Sequence, residues 1–299
     1  KNLEKSIEPD VIFTTSGPAY WRPHAPHLVG YNLGHYIYND SPYFSQIPFR
    51  KSFKWFLKGE VIKFFFRKET DVFVVQTDDV NRRLRKMLNT DEVYTVSNTF
   101  SHYYRNSKKV KNKLQDKKDG IFRFLTLSAW YQHKNLTIIP EVVSALPANI
   151  KEKVKFVLTL PSNEFEKHFN GNRKKNILNI GPVKPEEGPS LYKECDALFL
   201  PTLLECFSAS YAEAMVMDKP IVTTDLGFAR SVCGAAALYY SPVDPDDAAE
   251  QIKKLVENKK QQEDLIKKGR QQLAHFNSPR ERAQKYLSLC KSLTSKRKN

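Results

Sequence analysis

A chain of 299 residues with 40% apolar content can fill two hydrophobic cores, and it contains no run of about 18 apolar residues that would cross a bilayer. Its four cysteines, Cys195, Cys206, Cys233 and Cys290, form no C-x-x-C pair, which disfavours a zinc ribbon or a disulfide framework, and with no signal peptide at its start the chain reads as cytosolic. The net charge of +15 calls for an anionic partner: a phosphorylated substrate, a membrane surface or a nucleic acid.

The first third alternates strands with helices, the rhythm of a parallel sheet. A helical opening, KNLEKSIE (residues 1–8), leads into the strand PDVIFTT (9–15) and the turn-rich loop SGPAYWRPH (16–24). The apolar strand HLVGYNLG (27–34) carries His35 at its end, and DVFVVQT (71–77), the polar helix DDVNRRLRKML (78–88) and VYTVS (93–97) follow. Between the second and third strands lies FRKSFKWFLKGEVIKFFFRK (49–68), in which seven Lys and Arg residues interleave with aromatic rings. Phe53, Phe56, Leu57, Val61 and Phe64 share one face at helical spacing. That face either packs on the core with Lys54 and Lys58 solvated opposite, or lies on an anionic membrane surface.

The basic segment RNSKKVKNKLQDKKDG (105–120) is poor in large apolar residues and reads as a linker. After it the alternation restarts with FRFLTLS (122–128), a helix over 136–145, VKFVLTL (154–160), NILNIG (176–181), DALFLP (196–201) and PIVTT (220–224), a complete doubly wound domain. The acids of VDPDD (Asp244, Asp246, Asp247) stand just before a helix, where carboxylates serve as caps.

The most specific signal is PTLLECFSASYAEAMVMDK (201–219). A buried strand hands over to a helix rich in Ala and Met, and Glu205 and Glu213 stand eight positions apart. Unpaired N–H groups at the helix start, from Cys206 and Phe207 through Ser208 and Ala209 to Ser210, suit a diphosphate. A carboxylate accepts hydrogen bonds from vicinal hydroxyls such as those of a ribose or hexose. Cys206 has no histidine in its local sequence to activate it as a nucleophile.

On these residues, and on KPIVTTDLG (219–227) and YYSPVDPDDAAEQI (239–252), the chain resembles the retaining nucleotide-sugar glycosyltransferases of family four, which carry a Glu-x7-Glu motif. The resemblance implies the GT-B architecture of two Rossmann-like domains: residues 1–118 on the acceptor side, 119–278 binding the donor, and a helix over 279–299 crossing back to the first. It also implies that earlier β-α units precede Lys1. Glu205 would contact the donor sugar, Glu213 the ribose, and His35 the donor sugar near the acceptor. Lys134, in SAWYQHKNL (128–136), would neutralise phosphate. Tyr20 and Trp21 offer rings for an acceptor sugar to stack on. Two departures stand out: Cys206-Phe207-Ser208 replaces the family's Gly-Phe-Gly, and Ala129 stands where an Arg is usual.

The expected activity is metal-independent transfer of a hexose from a UDP-, GDP- or ADP-sugar, without a cofactor. The acceptor would be a carbohydrate or lipid-linked glycan of cell-surface polysaccharide or lipopolysaccharide synthesis. The alternatives are a nucleotide-sugar epimerase of the same fold, which needs further acid and base carboxylates, and a basic nucleic-acid-binding module, for which no recognisable motif is present.

Overall fold

The computed structural model describes residues 2–105, 112–114 and 120–298. Most of the basic segment 105–120, with the boundary expected at 118, lies outside the described residues. The chain divides into two compact units, one comprising Lys1–Thr99, Leu204–Phe207 and Phe276–Asn299, the other Phe100–Leu203 and Ser208–His275.

The first unit holds β1 (Ile12–Thr14), β2 (His27–Gly30), β3 (Val72–Val75) and β4 (Val93–Thr95), with helices α1 (Asn2–Ile7), α2 (Gly34–Ile37), α3 (Phe49–Glu69) and α4 (Asp78–Leu88). Its strands lie in the order β1-β2-β3-β4, all parallel. β2 and β3 are buried on both faces, which explains their continuous apolar runs. α4 starts where the Thr77 hydroxyl accepts the Val80 N–H at 3.3 Å, and it stops at Asn89, whose φ of 55° is left-handed. His35 falls in α2 rather than at the end of β2, because the strand stops at Gly30 and a short helix follows.

The second unit contains β5 (Phe122–Thr126), β6 (Val154–Leu158), β7 (Ile177–Asn179), β8 (Ala197–Leu200), β9 (Ile221–Thr224) and β10 (Ala237–Tyr240). Its helices are α5 (Ile139–Ala145), α6 (Ala148–Lys151), α7 (Ser162–His168), α8 (Gly188–Glu194), α9 (Ala209–Val216), α10 (Gly227–Cys233), α11 (Pro245–Glu257) and α12 (Lys259–Leu273). The sheet is parallel with the order β10-β9-β8-β5-β6-β7. Counted from β5 as the first strand, this is 3-2-1-4-5-6, the Rossmann arrangement, whose order reverses between β5 and β8. A row of rings binds the sheet's core: Phe124 to Phe156 at 5.4 Å, Phe156 to Phe199 at 5.3 Å, and Phe199 to Tyr240 at 5.8 Å.

The last helix, α13 (Pro279–Lys298), packs through Tyr286, Leu289, Cys290 and Leu293 on Leu28, Val72, Val74 and Val96 of the first unit. It continues to Lys298, through the basic residues near the end of the chain.

Gly30 marks the tightest backbone approach in the first sheet. A Cβ there would lie 2.6 Å from the Thr15 carbonyl oxygen, a backbone atom that cannot turn aside. Gly30→Ala should therefore destabilise the protein by about 1–3 kcal/mol through overpacking. An unchanged urea midpoint would contradict this.

Candidate nucleotide site

The loops leaving the carboxyl ends of β5 and β8 are set by polar contacts that the sheet order makes necessary. Neighbouring strands whose helices cover opposite faces release their loops apart, and the gap must be lined by groups with satisfied hydrogen bonds. The Thr126 hydroxyl donates to the Phe199 carbonyl at 2.6 Å, joining β5 to β8. Thr159 accepts the Ser128 N–H and donates to the Ser128 carbonyl, both at 3.2 Å, joining the β5 and β6 loops. The His133 carbonyl accepts the Leu203 N–H at 2.8 Å and the Thr202 hydroxyl at 3.3 Å.

Between these loops lies a cleft of about 440 Å³. Leu127, Val183 and Pro182 give it apolar walls, and Glu213 projects into it with Ser210 from α9. Burial raises the Glu213 carboxyl above its ordinary range, and hydroxyls donated by Tyr104 and Tyr192 partly reverse this. The Tyr192 hydroxyl also donates to the Ser210 carbonyl at 3.1 Å, and the two tyrosine rings meet edge to face at 5.7 Å. Gly188 opens α8 against this cluster, where a β-carbon would collide with the Tyr104 hydroxyl. No motif in the sequence marks Tyr104, Tyr192 or Gly188. Tyr104 lies 109 residues before Glu213, a separation that no local pattern bridges.

α9 is aimed by Tyr211, whose hydroxyl shares a 2.8 Å hydrogen bond with Thr223 of β9. Ser208 occupies the N-cap in extended conformation, but its side chain accepts no capping hydrogen bond. The backbone N–H groups that follow it are helix-terminal donors. Ala209 is the first helical residue, and Glu213 lies in the second turn. Lys134 ends a 3₁₀ turn (Gln132–Lys134) closed by Asn135 in left-handed conformation. Burial and the Lys134 charge hold the His133 imidazole down at about 4. Ala129, at the position where the family has Arg, lines the cleft.

The other candidates belong to the first unit. Leu204–Phe207 groups with it through contacts of its own. The Leu204 side chain lies 3.0 Å from where a Cβ of Gly34 would stand, and the Thr77 hydroxyl donates to the Cys206 carbonyl at 3.4 Å. Burial, with the Glu205 charge beside it, pushes the Cys206 thiol far above its usual range, so the thiolate needed for a nucleophile is disfavoured. Glu205 is half-buried in this loop, and the Phe207 ring meets Phe276 edge-on at 6.0 Å. His35 stacks on Trp55 at 4.3 Å and meets Tyr43 edge-on at 5.4 Å. Tyr20 is 59% exposed, with φ of 66° and its ring 5.2 Å from Phe65. Trp21 donates its indole N–H to Glu4 at 3.5 Å. Asp244 caps α11 by accepting the N–H groups of Asp246 and Asp247, and Asp247 accepts that of Ser241.

Residues 106–272 match the family model described as glycosyl transferases group 1. The chain belongs to that family. Among solved structures, this group 1 chain resembles a mutant of S. aureus TarM, solved with fondaparinux, α-GlcNAc-glycerol and UDP (16% identity, TM-score 0.68). The match covers 89% of this chain and 51% of TarM, so the chain spans about half the length of that relative. It also resembles the sucrose-phosphate synthase of Thermosynechococcus elongatus (14% identity, TM-score 0.76, 98% and 76% covered). A third likeness is to WaaG, a glycosyltransferase involved in lipopolysaccharide biosynthesis (14% identity, TM-score 0.68, 95% and 78% covered). These likenesses establish the fold as GT-B, with two Rossmann-like units.

The depressed His133 carries a pH dependence. Its folded pKa lies below the unfolded value, so its contribution is intact above about 6.5 and is lost as pH falls towards about 4. The unfolded chain binds a proton there that the native imidazole does not. At about 1.36 kcal/mol per unit the loss is on the order of 1–3 kcal/mol. His133→Asn should flatten urea stability between these pH values, and an acid slope equal to the parent's would count against the assignment.

Proposed function

We propose that the protein is a metal-independent hexosyltransferase that moves a sugar from a nucleoside-diphosphate sugar to a glycan or lipid-linked acceptor with retention of configuration. The observation that carries this reading is the position of Glu213: a half-buried carboxylate, braced by two tyrosines, in an apolar-walled cleft at the carboxyl edge of a 3-2-1-4-5-6 sheet. Open α/β sheets bind nucleotides at this switch point. The base would lie against Leu127 and Val183, and Glu213 would accept the ribose hydroxyls. The diphosphate would meet the N–H groups around Ser208 and Ala209, with Lys134 as counter-charge. TarM was solved with UDP, which makes a UDP-sugar the first donor to try.

In the proposed reaction the acceptor hydroxyl oxygen forms the new bond to the sugar's anomeric carbon as the bond to the diphosphate oxygen breaks. The acceptor attacks on the face from which the nucleotide departs, and its proton passes to the departing phosphate. Glu205 would hold donor-sugar hydroxyls while the ring gains oxocarbenium character, and His35 would approach the same sugar. No side chain acts as nucleophile, no cofactor is required, and Tyr20 and Trp21 would flank the acceptor. The departing negative charge would be met by Lys134 and the start of α9, electrostatics fixed in advance by the fold. The four cysteines are free, which supports a cytoplasmic setting. The WaaG likeness supports a place in cell-surface glycan assembly.

Two substitutions separate binding from chemistry. Glu213→Ala should weaken nucleoside-diphosphate binding by about 1.5–3 kcal/mol, the worth of hydrogen bonds to a charged acceptor. A calorimetric titration across UDP, GDP and ADP with unchanged affinity would remove the ribose assignment.

Glu205→Gln, by contrast, should leave diphosphate affinity nearly intact while kcat and kcat/KM fall together, since the interaction strengthens only in the transition state. Parallel losses of affinity and rate would reduce Glu205 to a loop-positioning residue.

A further inference from the structure

α3 has two apolar faces. Gly59, Ile62 and Phe66 point inward and are buried. Gly59 lies close enough to Tyr36 that a Cβ there would stand 3.2 Å from the ring, and Phe66 meets Tyr31 at 5.5 Å and Phe73 at 5.4 Å. The spacing of Phe53, Phe56, Leu57, Val61 and Phe64 left open whether that face packs on the core. It does not: these five, with Phe49, are all at least 50% exposed.

Six of the fifteen large apolar side chains exposed among the described residues therefore lie on one helix. They form a continuous strip, with Phe49 stacked on Phe53 at 6.1 Å and Phe53 on Phe56 at 6.5 Å. A helix of 21 residues is about 30 Å long. Single exposed apolar residues need no explanation, but a strip of this length on a monomer marks an interaction surface.

The charges identify what it meets. α3 carries Arg50, Lys51, Lys54, Lys58, Lys63, Arg67 and Lys68 against Glu60 and Glu69, a net +5 from seven cations and two carboxylates. Both carboxylates are engaged, Glu60 with Lys63 at 2.6 Å and Glu69 with the Ala19 N–H. At 100° per residue Lys54 and Lys58 border the apolar strip on one side, while Lys63, on the other, is held by Glu60. The Lys58 and Lys68 ammonium groups lie over the rings of Trp55 and Phe64, each 5.7 Å from the ring centre, so cations and aromatic rings share this surface. Among the described residues no helix is long and apolar enough to span a membrane.

We propose that the outward face of α3 docks the protein on an anionic lipid surface, with the Phe49, Phe53, Phe56 and Phe64 rings in the acyl boundary and the bordering lysines on headgroup phosphates. A second copy of the chain suits this face poorly, because it would bring cation rows together on a chain of net charge +15. Docking is independent of the transfer reaction; only its consequence, that the acceptor is lipid-linked and taken at the bilayer, rests on the function proposed above.

The test is co-sedimentation of the full chain with vesicles of phosphatidylcholine mixed with phosphatidylglycerol, against vesicles of phosphatidylcholine alone. The parent should bind the anionic vesicles, and binding should weaken as salt rises. Phe49→Ser, Phe53→Ser and Phe64→Ser combined should cut partitioning at least about ten-fold, with the thermal midpoint and the nucleoside-diphosphate titration unchanged, since all three rings are exposed. Lys54→Gln with Lys58→Gln should cut it several-fold and flatten the salt dependence. Equal partitioning by parent and Phe variant, or no binding by the parent, overturns the proposal. So does a parent dimer in sedimentation equilibrium that the Phe variant converts to monomer, which would make a second copy the occupant. Failure of vesicle binding with nucleotide binding intact rejects docking alone, whereas absent nucleotide binding with intact docking rejects the donor site alone.

Discussion

The second unit is organised by a single topological fact: β5 and β8 are hydrogen-bonded neighbours, although β6 and β7 come between them in sequence. Strand order reverses at that pair, so the loops they release diverge, and backbone polar groups are left facing a gap at the carboxyl edge of the sheet. Thr126 bonds across from β5 to β8, and Thr159, Thr202 and the His133 carbonyl satisfy polar groups in the loops. The threonine hydroxyls thus tie neighbouring strands and loops together, and Thr159 also lines the cleft. The glutamate of α9 reaches that cleft because Tyr211, anchored on Thr223, fixes the rotation of the helix.

Glu213 shows how such a site stays polar within an apolar frame. Burial opposes its charge, and the hydroxyls of Tyr104 and Tyr192 oppose burial. The balance leaves the carboxylate with acceptor capacity, since a bare buried carboxylate would protonate and a fully paired one would have none left. Gly188 belongs to the same arrangement, because only a residue without a side chain leaves room for Tyr104.

Much of this was legible in the sequence where chemistry is local. The strand-to-helix passage around residues 200–209, the eight-residue spacing of Glu205 and Glu213, and the capping role of Asp244 all follow from neighbours in the chain. Contacts between distant segments were not legible: Tyr104 on Glu213, Gly188 beneath Tyr104, and the backbone of His133 under Thr202. The helix 49–68 was ambiguous for a different reason. Apolar residues on opposite faces cancel in any periodicity, so the pattern cannot say which face is covered; only the positions of Tyr31, Tyr36 and Phe73 decide that Ile62 and Phe66 turn inward. The apolar run continues past Gly30 and so suggests a strand ending at His35, while the backbone turns into α2 before reaching it.

Glu69, the last residue of α3, is buried, and its carboxylate faces the backbone N–H groups of Ala19, Tyr20 and Trp21. Tyr20 in turn sets its ring against Phe65 of the same helix. The loop bearing Tyr20 and Trp21 is thereby fastened to α3 at two points just over a helical turn apart in height, roughly 6 Å along the axis. The Tyr20 ring is therefore aimed by α3, whichever surface that helix rests on, whereas the Trp21 indole takes its direction from Glu4 of α1.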